Sequence, residues 1–506
     1  MPSYTALTTK GGVASQSHLA TFEGLKVLEK GGNAFDAATT ISSILTIMLP
    51  NTSSIGGDGF LLALDCGSKL TAYNGSGKSP QNFPVDEYLA EKPSRGPLTV
   101  TVPGLIDLWD WMSKNYGSMN LNQTLGRAIS LAGNGFHVQE SLARAVKFAQ
   151  PTLAKYKSWS QVFGWMKSGS WACFPALASI YKAVARRGAD SFYRSKLTEE
   201  IVKGLKKCGA PLTYEDFAGH RGEKVTPIRC EYENHELFEL PPNTQGLSTL
   251  QLIKAIEVAE LSKLPLKSPK RVEKLLRLAV KVYEDRDRYV ADPNHFKTPV
   301  DRLLSPTYLK ERMSRASSSR AFLNPKDTTF FVVADKYGNL VGFIQSVFHG
   351  FGSGIIVQDI PFQSRGAGFA KSQGLPNSPA PGKKPLHTLS ILLARQDSQS
   401  INLIGCAGGD FRPQIHAEIF TNMVNHNMSL SEALEAPRCI LTSWEKKHLE
   451  AIVEEDIWAS NLPGWARRID YQSPSTGIVQ ALKRRQDGVL EFAADPRGGG
   501  VAAPIL

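Results

Sequence analysis

Asp327-Thr328-Thr329-Phe330-Phe331-Val332-Val333-Ala334-Asp335-Lys336-Tyr337-Gly338-Asn339 reads as a buried strand followed by a tight turn, and Leu340 to Phe348 reads as the strand that returns from it. The β-branched and aromatic run bounded by Gly-Asn carries that reading. The polar Asp-Thr-Thr at its head stands out, because a hydroxyl there opens a core strand. Were the chain cut before Thr328, that threonine would carry a free α-amine beside its own hydroxyl. An α-amine titrates at about 7.7–8.0, so near neutrality it can act as general base for the hydroxyl. On these residues alone the pair is better read as the plain start of a strand.

The neighbouring sequence supplies the rest of an α/β pattern. Ser17 to Lys30 reads as a helix stopped by Gly31-Gly32, and Asn33 caps a second helix that Pro50 ends. The second is apolar nearly all round and belongs deep in a core. Ile55-Gly56-Gly57-Asp58-Gly59-Phe60 turns into the strand Phe60 to Asp65; without a following Gly-Lys-Ser/Thr, its glycines read as close packing rather than a phosphate loop. A strand near Leu70 to Tyr73 follows, then a strand and loop over Arg95 to Gly104, then mostly helix from Leu105 to Leu205. Phe238 to Gly246 is a strand entering a rigid loop, and helices occupy Leu247 to Leu261 and Val272 to Tyr289. Arg312 to Lys326 lacks apolar periodicity and reads as an exposed linker leading to Thr328. Beyond the hairpin come strands at Ile355 to Val357, Leu389 to Ala394 and Ile401 to Gly405. The last delivers Cys406-Ala407-Gly408-Gly409-Asp410. Two glycines after a buried strand can aim two backbone N–H groups at one point, as an oxyanion hole requires, though such a pair also serves as an ordinary turn.

Composition narrows the class. At 506 residues, 42% hydrophobic and 21% charged, the chain can bury a large core. The formal charge of +11 favours small anionic substrates or a basic surface. No dense Lys/Arg block with interleaved aromatics is present, so no nucleic-acid partner is expected. The first residues lack a basic and then apolar leader, and the apolar stretch Ala37 to Pro50 is too short to span a bilayer; no membrane association and a cytoplasmic location are expected. Cys66, Cys173, Cys208, Cys230, Cys406 and Cys439 are scattered without a CxxC pair, as reduced thiols would be.

Together these segments resemble the γ-glutamyltransferase (γ-glutamyltranspeptidase) family of N-terminal nucleophile hydrolases. The resemblance is carried by Gly31-Gly32-Asn33-Ala34-Phe35-Asp36-Ala37-Ala38, Ile55-Gly56-Gly57-Asp58-Gly59-Phe60, Val102-Pro103-Gly104 and Leu240-Pro241-Pro242. It continues through Asp285-Arg286 with Asp292-Pro293, Asp327-Thr328-Thr329 with Asp335 and Gly338-Asn339, and Lys383-Lys384-Pro385-Leu386. Gly408-Gly409, Ala436-Pro437-Arg438 and Asp495-Pro496-Arg497 complete the series.

The resemblance implies an α/β fold, a four-layer αββα sandwich, made as a precursor that cleaves itself between Asp327 and Thr328. Segments 1–327 and 328–506 would then form one unit as a heterodimer. It also implies Thr328 as nucleophile, Gly408 and Gly409 as oxyanion-hole donors, and Ser346 as the second hydroxyl beside the nucleophile. No metal and no organic cofactor are implied. The substrate set departs from the family: Ser76 stands where the family has an arginine for the α-carboxylate, and a serine lacks the bidentate fork. Phe348 replaces an asparagine, Arg365 and Gly368 fall at the glutamine and aspartate that hold the α-amine, and His387-Thr388 replaces a serine pair. Arg365, Lys78, His387 and Thr388 are therefore the candidates to bind a small amide substrate that carries a carboxylate with no neighbouring amine. The activity the resemblance implies is hydrolysis or transfer of an acyl group from a γ-glutamyl compound such as glutathione, or from another small carboxylate-bearing amide, through an acyl-Thr328 intermediate. The departures are similar to the branch containing oxamate amidohydrolase, with cephalosporin acylase-like members as a further alternative. The competing reading is an unprocessed relative that binds anions or acts as a scaffold.

Overall fold

Two seven-stranded sheets face each other across an apolar layer, with helices covering the outer face of each. The structure is a computed structural model that describes residues 5–266, 268–317, 319–324, 328–397, 400–454 and 463–506. The first sheet runs Val501–Pro504, Gly12–Ser15, Thr329–Ala334, Leu340–Ser346, Asp58–Leu64, Leu70–Asn74, Glu223–Val225. The second runs Thr5–Thr8, Leu490–Ala494, Ile478–Arg484, Ile401–Ala407, Leu392–Arg395, His235–Glu239, Ile228–Tyr232. All neighbours within each are antiparallel.

The period of two sets the layers. Phe330, Val332 and Ala334 enter the space between the sheets with Phe60, Leu62, Leu403 and Phe492. Phe331 and Val333 point the other way, toward Phe35, Ile41 and Leu45 of the Ala34–Met48 helix. A strand covered on both faces has no polar side, which is why its sequence is an unbroken apolar run. The Ala34–Met48 helix is buried throughout, and Asn33 and Asp36 close its start as a capping box. Outside the second sheet, the helices Gly246–Val258, Pro269–Tyr289 and Arg412–His426 pack Leu250, Leu276 and Phe420 against Leu392, Ile404 and Val479. The result is the four-layer αββα sandwich.

The hairpin turn holds the Thr329–Ala334 strand in register. Asp335 Oδ1 accepts from the N–H groups of Tyr337 (2.9 Å) and Asn339 (3.0 Å), and Gly338 takes a φ of 96° that a side chain would strain. Asp335 Oδ2 accepts from Ala34 N at 2.7 Å and so ties the turn to the buried helix.

Two local expectations are corrected. Arg95 to Gly104 holds no strand; Gly96 at φ 91° and Pro97 at the first turn start a 3-10 helix, Pro97–Thr99. Nor is Arg312 to Asn324 a free linker. Pro306–Ser314 is a helix, and Arg312 Nε donates to Asp285 at 2.9 Å. Arg320–Phe322 forms a strand on Cys439–Glu445, with Leu323 N donating to Thr442 O at 2.8 Å. The partner strand lies more than a hundred residues away, beyond the reach of local periodicity. Asp327, with its two predecessors, lies outside the described residues.

Candidate active site

Strand register builds the site. Thr329 pairs with Gln345, so one step further the same register sets Thr328 opposite Ser346; on its other side Ser346 pairs with Asp58. Cβ atoms in one such row project from one face and lie about 4.5–5.5 Å apart. Thr328, Ser346 and Asp58 share the parity of Phe330, Ile344 and Phe60, so the row faces the space between the sheets. Thr328 and Ser346 are each 1% exposed, and Thr328 Oγ1 lies 3.4 Å from Ser346 Oγ, which also accepts from Phe348 N at 2.9 Å.

Asp58, quoted from the sequence only within a glycine-rich turn, anchors the polar end of the row. Its Oδ1 accepts from Gly104 N (3.1 Å), Gly77 N (3.3 Å) and Gln363 Nε2 (3.0 Å). Its Oδ2 faces His387 Nε2 at 3.0 Å. Leu389 N donates to His387 Nδ1 at 3.4 Å, so Nε2 carries the proton that Asp58 accepts. Burial pushes the Asp58 carboxyl up to about 7, with the Arg365 charge as the main opposing pull. His387 is thus a ring clamped by Asp58 and stacked edge-on to Phe60, with ring centroids 4.6 Å apart.

Arg365 is fully buried. Its guanidinium carbon sits 4.2 Å from the centre of the Phe348 ring, and Nη1 donates to Thr388 Oγ1 at 3.4 Å. Its Nε and Nη2 have no hydrogen-bond partner among the described residues. Burial pulls Arg365 down to about 9, which leaves it cationic at neutral pH. Phe348 adopts φ 80°, a left-handed backbone that costs on the order of 1–3 kcal/mol and that puts its ring under the guanidinium. Ser76 is buried and donates its hydroxyl to Asn74 Oδ1 at 2.6 Å.

The glycine turn is fixed from behind. Gly409 takes φ 52°, and a Cβ on Gly408 would meet Ile415 Cδ1 at 2.8 Å, so both positions favour glycine. Neither amide is a donor in the turn and loop hydrogen bonds of the described residues. Gln245 Nε2 donates to Thr388 O (2.7 Å) and to Gly409 O (2.8 Å), linking the Arg365 partner to the turn. Asp410 accepts from Arg286 Nη1 (3.0 Å) and from Asn324 N (3.1 Å), and its own N–H donates to Asn324 O at 3.1 Å. The chain four residues upstream of Thr328 is therefore docked on the residue that follows the two glycines. Gln245 and Asp410 escaped sequence reading because their partners lie 41 to 164 positions away. Lys78 is not brought into this group: it is exposed on a separate cleft of about 310 Å³ shared with His220, Glu223 and Lys384.

Comparison with known proteins agrees with this architecture. Residues 20–505 match the family model described as Gamma-glutamyltranspeptidase. The chain belongs to the γ-glutamyltranspeptidase family. Among its relatives is the "Glutathione hydrolase-like YwrD proenzyme" of Bacillus subtilis, 31% identical over 99% of both chains. The "Oxamate amidohydrolase proenzyme" of Klebsiella pneumoniae is 29% identical over 98% of this chain and 99% of its own length. The crystal structure of cephalosporin acylase from Bacillus halodurans superposes with a TM-score of 0.88 at 29% identity, covering 99% of this chain and 97% of that one. The family membership and the sandwich are thereby established. Among the described residues, no helix is long and apolar enough to cross a membrane, and all six cysteines are free thiols.

Proposed function

We propose that this γ-glutamyltranspeptidase-family member is a self-processed N-terminal threonine amidohydrolase or acyltransferase. It acts on a small amide that carries a carboxylate, with Thr328 as nucleophile. The observation that carries the reading is the row Thr328, Ser346, Asp58 on a buried sheet face, with the Thr328 hydroxyl 3.4 Å from that of Ser346.

In the precursor, Thr328 Oγ attacks the Asp327 carbonyl carbon; the peptide C–N bond breaks, an ester forms, and the nitrogen becomes the α-amine of Thr328. Water then opens the ester, leaving a carboxylate on Asp327 and the free hydroxyl on Thr328. Segments 1–327 and 328–506 stay together as a heterodimer. In turnover the α-amine takes the hydroxyl proton, Oγ attacks the substrate amide carbon, and the tetrahedral oxyanion is met by the Gly408 and Gly409 N–H groups. The proton passes to the departing amine, and water or an acceptor amine releases the acyl group.

The carboxylate belongs on Arg365, whose two unmatched nitrogens, Nε and Nη2, are costly when buried and are satisfied by an anion. No carboxylate stands at position 368 to receive an ammonium, so half-amides of the oxamate kind suit the site better than γ-glutamyl compounds. The relatives named for oxamate and cephalosporin chemistry support that direction. Thr388 supports Arg365, and His387 holds Asp58 in place. The test is a denaturing gel with end-sequencing, followed by a substrate panel on the same preparation. Wild type yields two bands, the smaller beginning Thr328-Thr329-Phe330, and hydrolyses oxamate-type half-amides; Thr328→Ala stays whole and inactive. Full activity of the uncut variant would end this reading.

A further inference from the structure

Away from the Thr328 site, a cavity of about 240 Å³ opens between the start of the Pro269–Tyr289 helix and the middle of the Arg412–His426 helix. None of Thr328, Ser346, Arg365, Thr388, Gly408 or Gly409 lines it. Three of the side chains that line it carry a buried polar atom without a hydrogen-bond partner among the described residues: Arg271 Nε, Glu418 Oε2 and Asn422 Oδ1. Arg271 is 2% exposed and Asn422 1%, so two of the three side chains are more than nine-tenths buried. Buried polar groups are almost always matched, and each unmatched one is costly, so three around one cavity call for an occupant.

The chemistry of the wall restricts what that occupant is. Glu418 and Asn422 stand one turn apart on one helix face and offer acceptors; Arg271, on the other helix, offers donors. Leu275, Met428 and Pro437 supply an apolar side. The remaining carboxylate, Glu432, is engaged by Ser429 N and Oγ at 2.8 and 2.7 Å. Water alone is a poor filling. At about 30 Å³ each the space takes roughly eight molecules, and those along the apolar side would find hydrogen bonds only with one another. A simple anion would meet Glu418, and a simple cation would meet Arg271. Burial also pushes the Glu418 carboxyl up to about 7 despite the pull of Arg438 and Arg271.

We propose that this cavity is a second small-molecule site that takes a compact zwitterion with an apolar tail, its carboxylate on Arg271 and its ammonium on Glu418 and Asn422. The test uses the full processed protein and calorimetric titration with L-leucine, glycine, 4-methylpentanoate and 3-methylbutylamine. Leucine gives a saturable heat with one site per chain, and each analogue, lacking tail, amine or carboxylate, binds about 10-fold more weakly or worse. Arg271→Met abolishes the heat, while chain cleavage and amide turnover stay as in wild type. Leu275→Phe, which narrows the space and keeps every charge, weakens leucine binding about 10-fold and serves if Arg271→Met fails to fold. Arg365→Met keeps leucine binding, which separates this cavity from the Thr328 site. No saturable heat, or leucine binding unchanged in Leu275→Phe, means that the cavity holds water only and overturns the proposal.

Discussion

Asp58 keeps its proton to about pH 7, where an exposed aspartate loses it near 3.8, because it is wholly enclosed and the Arg365 charge only partly offsets that burial. Between those two values the folded chain holds a proton that the unfolded chain has released, so this group makes stability fall as pH rises through the window. Asp58→Asn removes that dependence. Urea unfolding at pH 4.5 and 7.5 should show wild type losing about 3 kcal/mol more than the variant between the two conditions. Equal losses would contradict the assignment. Arg365→Met should raise KM for a half-amide by about 10- to 100-fold, the worth of a charge-assisted hydrogen bond, while chain cleavage proceeds; Arg365→Lys should recover only part of it. At this scale the sequence disclosed the unusual residue types, Arg365 and Phe348 among them, and missed what they touch. Asp58 read as part of a glycine turn because its importance comes from three strands in register and a histidine 329 positions away. Lys78 read like Arg365 from charge alone, yet it stands exposed in another cleft.

Among elements, the hairpin was the most legible, since its apolar run and Gly-Asn turn are local signals. The Gly408-Gly409-Asp410 turn was visible only as two glycines after a strand. Its dependence on Arg286, Gln245 and Asn324 required the fold. Asp410→Ala frees Asn324 from one side-chain acceptor, and precursor cleavage should slow by about 10- to 100-fold while the cut enzyme keeps its KM. Timed denaturing gels measure the first and steady-state kinetics the second; unchanged cleavage would leave Asp410 a purely structural residue. Gly405, opposite the hairpin, tests the same contact between layers. A Cβ there would come within 2.5 Å of the Phe330 ring, so Gly405→Ala should cost about 1–3 kcal/mol in unfolding and displace the strand that bears Thr328. The quoted motifs at Arg438, Asp495 and Arg497 carry no reacting atoms in this arrangement. They form a buried ionic cluster, with Arg438 Nη2 to Asp495 Oδ2 at 2.6 Å and Arg497 Nη1 to Asp495 Oδ1 at 3.1 Å.

Across the whole molecule, each sheet mixes strands from before and after position 328. Gly12–Ser15 lies between Val501–Pro504 and Thr329–Ala334, and Thr5–Thr8 borders Leu490–Ala494. Cut protein should therefore run as two bands under denaturing conditions but elute as one particle of the full mass and melt in one cooperative step. Separate melting of the two pieces would contradict the interleaving. Removing residues 501–506 strips the edge from Gly12–Ser15 and the 2.7 Å bond from Ile505 N to Gly11 O, so a chain lacking them should remain uncut. The same weave has a bearing on when the sheet can be completed. The Thr329–Ala334 strand borders Gly12–Ser15, whose other edge is supplied by Val501–Pro504, so a chain growing from its N-terminus leaves that edge bare until residues 501–504 have been made.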